Sequence, residues 1–124
     1  MIDFKNAEFF KMKPVGDHTF DYMLSPLMTK GEEVLATFKS IRDGVVFTNK
    51  RVITINVQGI SGKKVDYTSL PYSKIQAYSV ETAGSFDLDC ELELWFSGLG
   101  KVKFEFLKTS NILDICHLIS EKVL

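Results

Sequence analysis

The stretch "DLDCELELWFSGLGKVKFEF", Asp87 to Phe106, decides the fold. Leu88, Cys90, Leu92, Leu94 and Phe96 alternate with Asp89, Glu91, Glu93 and Trp95, and Val102, Phe104 and Phe106 repeat the period beyond two glycines. Side chains of a strand point alternately to opposite faces, so this spacing predicts two strands, each with one buried face. A three-residue loop Gly98-Leu99-Gly100 would join them, pairing Phe96 with Val102, Leu94 with Phe104 and Leu92 with Phe106. On the other face that register sets Trp95 across from Lys103 and Glu93 across from Glu105. The second is an unfavourable like-charge pair, offset in part by Lys103 on the diagonal or by a cationic partner outside this chain.

Upstream, short strands alternate with turn signals at Asp43-Gly44, Asn49-Lys50, Gln58-Gly59, Ser61-Gly62 and Pro71. Strands are expected over Glu33 to Arg42, Val45 to Thr48, from Arg51 onward, Lys63 to Leu70 and Lys74 to Thr82, then Asp89 to Ser97 and Lys101 to Leu107. The result is an antiparallel meander. Asp-Gly suits the positive φ angles of a type I′ turn, which places the first hairpin turn at Asp43-Gly44. A second two-residue loop at Asn49-Lys50 sets Phe47 opposite Val52 and Val46 opposite Ile53, apolar pairs on both faces. Asn49 then supplies the turn conformation, and Lys50 and Arg51 stay solvated at the tip.

After Thr109 the period changes. Ile112, Ile115, Cys116, Ile119 and Val123 recur at helical spacing, with Ser110 or Asn111 as N-cap and Asp114 in the first turn. The stripe has to cover the inside of the sheet, the large apolar surface that the strands create. The fold class is therefore mainly β with a C-terminal helix. Ahead of a domain over 32–124, residues 1–31 read as an aromatic-rich extension of helix and loop. Phe4, Phe9, Phe10, Phe20 and Tyr22 lie there, on segments broken by Pro14, Gly16 and Pro26. Aromatics this dense either cap an open end of the sandwich or lie between subunits.

The chain has 124 residues, 45% hydrophobic and 25% charged, with a formal net charge of -1, which suits one folded domain and gives no global basic field for nucleic acid. Charges scattered through the first twenty residues leave no h-region for a signal peptide, and no apolar run reaches transmembrane length. The expected location is the cytoplasm, where Cys90 and Cys116 stay reduced.

Catalytic and metal chemistry find little in the spacing. There is no C-x-x-C and no H-x-x-x-H to bring Cys90, Cys116, His18 and His117 together, so no metal, cofactor or catalytic residue is assigned. The cysteines fall on apolar faces and read as core thiols, and His117 as a solvent-facing or edge residue. No glycine-rich phosphate loop leads from a strand into a helix. The row Asp87, Asp89, Glu91 and Glu93 lies outward on a strand, without the cleft that paired carboxylates need for acid–base work. It reads as a solvated face or a subunit contact, with Lys101 and Lys103 as counter-charges, or as a surface for a partner.

The pieces "IRD" at Ile41 to Asp43, "VFTNKR" at Val46 to Arg51, "QGISGKKVDY" at Gln58 to Tyr67, "LPY" at Leu70 to Tyr72 and "VETAGSFDLD" at Val80 to Asp89 resemble, in order and spacing, the bacterial pleckstrin-homology-like family. The resemblance implies a seven-stranded, strongly bent antiparallel sandwich or partly open barrel, capped by the C-terminal helix. It also implies ring-like homo-oligomers and carries over no catalytic residue. The segment up to about Tyr22 departs from the usual start of the family. Lipid-binding pleckstrin-homology domains carry a basic cluster on a long loop between their first two strands; here that connection is Asp43-Gly44, too short to wrap a headgroup. The resemblance thus implies the fold and not the lipid site.

The expected function is a non-catalytic module that self-assembles and mediates protein interactions. Its interface candidates are Phe4, Phe9, Phe10, Phe20, Tyr22, Trp95, Glu91, Glu93, Lys101 and Lys103. The alternative is a peripheral anionic-lipid or phosphate binder, using Lys50, Arg51, Lys63 and Lys64 if their two turns lie at one end.

Overall fold

The structure, a computed structural model, describes residues 1, 4 and 11–124. Its elements in chain order are β1 (Lys13–Val15), α1 (Asp21–Leu24), β2 (Val34–Ser40), β3 (Asp43–Thr48), β4 (Arg51–Gln58), β5 (Lys64–Pro71), a 3-10 turn (Tyr72–Lys74), β6 (Ile75–Glu81), β7 (Asp89–Phe96), β8 (Gly100–Leu107) and α2 (Ile112–Val123). The strands form two antiparallel sheets, ordered β1-β2-β3-β4-β5 and β6-β7-β8. The seven expected strands are all present. An eighth, β1, comes from the N-terminal segment and pairs Lys13, Pro14 and Val15 with Lys39, Phe38 and Thr37.

Just before β1, Met12 donates its N–H to Glu105 O at 3.0 Å and accepts from the Leu107 N–H at 3.0 Å, in a parallel bridge to Phe106 on β8. Four consecutive residues thus join an edge of one sheet to an edge of the other. Met12 is fully buried at that seam.

Between the sheets lies the main core. Phe38, Val45, Phe47, Val52 and Leu70 from one side meet Cys90, Leu92, Leu94, Phe96, Val102, Phe104 and Phe106 from the other. Phe38 packs edge-on against Phe47 and Phe106, with centroids 5.8 and 4.7 Å away. Each such buried side chain contributes about 1.5–3 kcal/mol relative to exposure. α2 covers the opening with Ile112, Ile115 and Ile119, as its stripe requires. Asn111 is the N-cap, accepting from the Asp114 N–H at 3.4 Å and donating to the Asp114 carboxylate at 2.9 Å. Tyr78 and Ser120 tie the helix to β6 through a 2.6 Å hydroxyl pair.

β3 and β4 are apolar on both faces, so the outside of the five-stranded sheet needs a cover as well. Val46, Ile53 and Ile55 receive it from Phe20 and Leu24, with Met23, Leu27 and Met28 half-buried around them. The expected pairs Phe47 with Val52 and Val46 with Ile53 form as the two-residue loop requires.

Two turns differ from expectation. The first hairpin turns at Ile41-Arg42, with Ser40 opposite Asp43 and Lys39 opposite Gly44. Asp43-Gly44 opens β3 instead, because the glycine serves packing: a Cβ at Gly44 would stand 2.5 Å from Cε2 and Cζ of the Phe20 ring. Asp43 is occupied too, accepting from the Val57 N–H at 2.9 Å. The second difference is a register shift of two residues between β7 and β8. Phe96 faces Gly100, Leu94 faces Val102, Leu92 faces Phe104 and Cys90 faces Phe106, around a loop of Ser97, Gly98 and Leu99. A two-residue slip keeps every side chain on its face, so the apolar pattern does not distinguish the registers. Charge differs between them: the like-charge pair moves from Glu93 and Glu105 to Glu91 and Glu105, while Glu93 gains Lys103 opposite it and Trp95 faces Lys101.

Candidate interaction surface

Two of the expected cations are structural. Arg51 donates from Nε and Nη2 to the Glu32 carboxylate at 2.8 Å each, from Nη2 to Leu27 O at 2.8 Å and from Nη1 to Ser69 Oγ at 2.8 Å. The Glu32 side chain is fully buried, and Thr48 adds a 2.7 Å hydroxyl bond. Burial pushes the Glu32 carboxyl up, but the Arg51 hydrogen bond, those from Thr29 and Thr48 and the Arg51 charge outweigh it and hold it at about 2. Lys50 caps the neighbouring turn, donating to Lys30 O at 2.7 Å and Thr29 Oγ1 at 3.1 Å. Asn49 has no positive φ; its side chain clamps Gly31 and Glu33, accepting from the Glu33 N–H at 2.8 Å and donating to Gly31 O at 2.9 Å.

Arg51 is therefore no solvated tip residue. Nor do the four cations converge. Arg51 begins β4 opposite Pro71, whereas Lys64 begins β5 opposite Gln58, at the far end of the same ladder. Seven residue steps separate the pairs, roughly 23 Å of strand. The sequence held no sign that Glu32, one of several charges before β2, would be the buried partner.

The outer face of β6-β7-β8 carries the other charged candidates. Lys103 bridges Glu91 at 3.1 Å and Glu105 at 3.6 Å, and Lys101 reaches Glu93 at 3.7 Å while lying 5.8 Å from the Trp95 ring centroid. The Glu91 hydrogen bond is the first cause that raises the Lys103 ammonium above its ordinary value. Glu81 faces Glu91, and Glu91 faces Glu105, so three carboxylates cross the sheet in one row. With Asp87, Leu88 and Asp89 they line a shallow depression of about 220 Å³.

The N-terminal aromatics take different places. Phe20 is buried in the second cluster and Phe4 packs half-buried against the main core, whereas Tyr22 is 81% exposed. Phe9 and Phe10 lie outside the described residues. Both cysteines are free: Cys90 is buried, its thiol pushed up by that burial, and Cys116 is half-buried. His18 and His117 are exposed, against Asp21 at 2.7 Å and Glu121 at 3.4 Å. Among the described residues no group of three or more His, Cys, Asp or Glu is placed to hold a metal, and no helix is long and apolar enough to cross a membrane.

A bent sandwich of two antiparallel sheets with one end closed by a C-terminal helix is matched by the family model for the bacterial PH domain over residues 3–123. The chain is a bacterial PH domain. The match takes in the aromatic N-terminal segment, including β1 and Phe20. This PH domain is 50% identical over 99 residues to the uncharacterized protein YjqA of Bacillus subtilis (strain 168), covering 78% of this chain and 79% of that one. A crystal structure of a DUF1696 family protein with a pleckstrin-homology domain from Shewanella loihica PV-4 is 40% identical and superposes with a TM-score of 0.81, covering 93% of this chain and 99% of that one. The pleckstrin homology domain from Shewanella amazonensis SB2B is 39% identical, with a TM-score of 0.69 over 96% of this chain and 93% of that one.

Proposed function

We propose that this PH domain is a non-catalytic module that assembles with further copies of itself and offers the surface of the assembly to a protein partner. Its support is apolar surface without a use inside the chain. Tyr22, Ile41, Ile60, Phe86 and Leu88 are 81%, 94%, 106%, 99% and 78% exposed, and Trp95 is 45% exposed. Single exposed apolar residues are ordinary, but Ile41 and Ile60 stand on adjoining turns and Phe86 and Leu88 on one loop. Contact between copies buries such pairs symmetrically. Sedimentation velocity over a hundredfold concentration range tests the proposal. One discrete multi-subunit species supports it, and a 14.1 kDa species throughout rejects it.

The second reading, a peripheral binder of anionic lipid or phosphate, keeps only the exposed Lys63 and Lys64 of its four cations outside the Arg51 and Lys50 networks. Sedimentation with acidic vesicles tests it through Lys63→Glu/Lys64→Glu. Charge reversal at Arg51 is unsuitable, since that residue holds the fold together.

A further inference from the structure

β1 covers only part of the β2 edge. Lys13, Pro14 and Val15 pair with Lys39, Phe38 and Thr37, and the chain then leaves through a turn closed by the Thr19 N–H on Gly16 O at 3.1 Å. From Val34 to Ala36, about 10 Å of strand, no segment pairs with that side of β2 among the described residues. Leu35 is the extra residue of a bulge there. Val34 faces the outer cluster and Ala36 the main core, so the Leu35 side chain is turned out of both and stands 39% exposed.

Across from this edge runs α2, and between the two opens a groove of about 440 Å³. Ala36, Phe38 and Ile115 form its floor, and Pro14, Leu35 and Leu118 stand around it. Its volume is that of a ligand-sized site. Asp114 lines it from the first turn of the helix. The Asp114 carboxylate accepts from Asn111 Nδ2 at 2.9 Å, and no Lys or Arg pairs with it among the described residues. A free strand edge supplies backbone N–H and C=O groups, the apolar walls make a socket for a side chain, and the carboxylate favours a cation.

We infer that this groove takes an extended segment of a partner protein, added as a strand along β2 from Ala36 to Val34. An apolar side chain of the segment enters between Leu35 and Leu118, and a Lys or Arg lies beside Asp114. β1 is the precedent, since three residues of this chain already pair antiparallel with the adjoining part of the same edge. The inference rests on the protein-partner reading above and gives the contact that the partner makes. None of Ile41, Ile60, Phe86 and Leu88 lines the groove, so its occupancy is read separately from self-assembly.

Selection of displayed linear peptides of about ten residues on the immobilised full chain tests the inference. Enriched sequences should carry an apolar residue within two positions of a Lys or Arg. Made as free peptides, they should bind the full chain at least tenfold more tightly than Leu118→Glu or Leu35→Glu in fluorescence polarisation, and should slow amide hydrogen exchange over Val34 to Ala36. Leu35 lies outside both clusters, so Leu35→Glu should unfold at the wild-type temperature and keeps the test independent of a folding defect. Asp114→Lys should turn the selected charge from basic to acidic, a change that loss of structure does not produce. Peptides that bind wild type and both leucine variants equally overturn the groove and leave the protein-partner reading in place. A wild type that enriches no peptide overturns the groove and that reading together, while the native mass tests self-assembly apart from both.

Discussion

Glu32 shows what a single buried carboxylate does for this chain. It fastens the segment after α1 to β3, β4 and β5 through Arg51 and Thr48. Its folded pKa of about 2 lies below the ordinary 4.5, so its contribution is complete above pH 4.5 and is lost as the pH falls through 2. At about 1.4 kcal/mol per pH unit, the contribution is about 3 kcal/mol. Urea unfolding of wild type at pH 7 and pH 3 should show about 2 kcal/mol of this loss, because pH 3 is still above the folded pKa, while Glu32→Gln should be less stable at pH 7 and flatter with pH. Equal slopes for both proteins would remove Glu32 from the account. Gly44 makes a second case at this scale. Gly44→Ala should cost about 1–3 kcal/mol by displacing the Phe20 ring. In a Phe20→Leu background the same change should cost less, and additive losses would contradict the close approach.

At the scale of elements, period carried most of the information. The two-fold alternation in β7 and β8 and the helical stripe of α2 identify their buried faces, because side-chain direction follows directly from strand and helix geometry. Two-sided apolar strands at β3 and β4 also announce a cover on each face. What the pattern does not carry is whatever leaves the faces unchanged. The β7–β8 register slips by two without moving a side chain out of the core, and β1 is three residues of Lys, Pro and Val with no alternation to read. Asp43-Gly44 misled for a related reason, since a glycine that makes room for an aromatic ring looks the same in sequence as one that makes a turn. The charge candidates were legible only as residue types, and their partners depended on this three-dimensional registration. Lys103→Glu tests the observed register: it sets a fourth carboxylate opposite Glu93 and beside Glu91 and Glu105, and should lower stability by about 1 kcal/mol or more in thermal unfolding. Neutral or stabilising behaviour would contradict the ladder.

For the whole molecule, the N-terminal segment belongs to the sandwich at least from Met12 onward, through the seam it forms between β2 and β8 and through Phe20 on the outer sheet face. Removing residues 1–22 should therefore unfold the domain and not merely shrink an assembly, with cooperative thermal unfolding lost in circular dichroism. The apolar side chains left most exposed after both clusters are filled include Ile41 and Ile60 on turns and Phe86 and Leu88 on one loop, which the single chain does not cover. The most direct measurement is the native mass of the full chain, by light scattering on a sizing column at low and at high salt. A discrete oligomer at both salt concentrations is the expected result. A monomer of 14.1 kDa at both salt concentrations would contradict self-assembly as the basis of this domain's function.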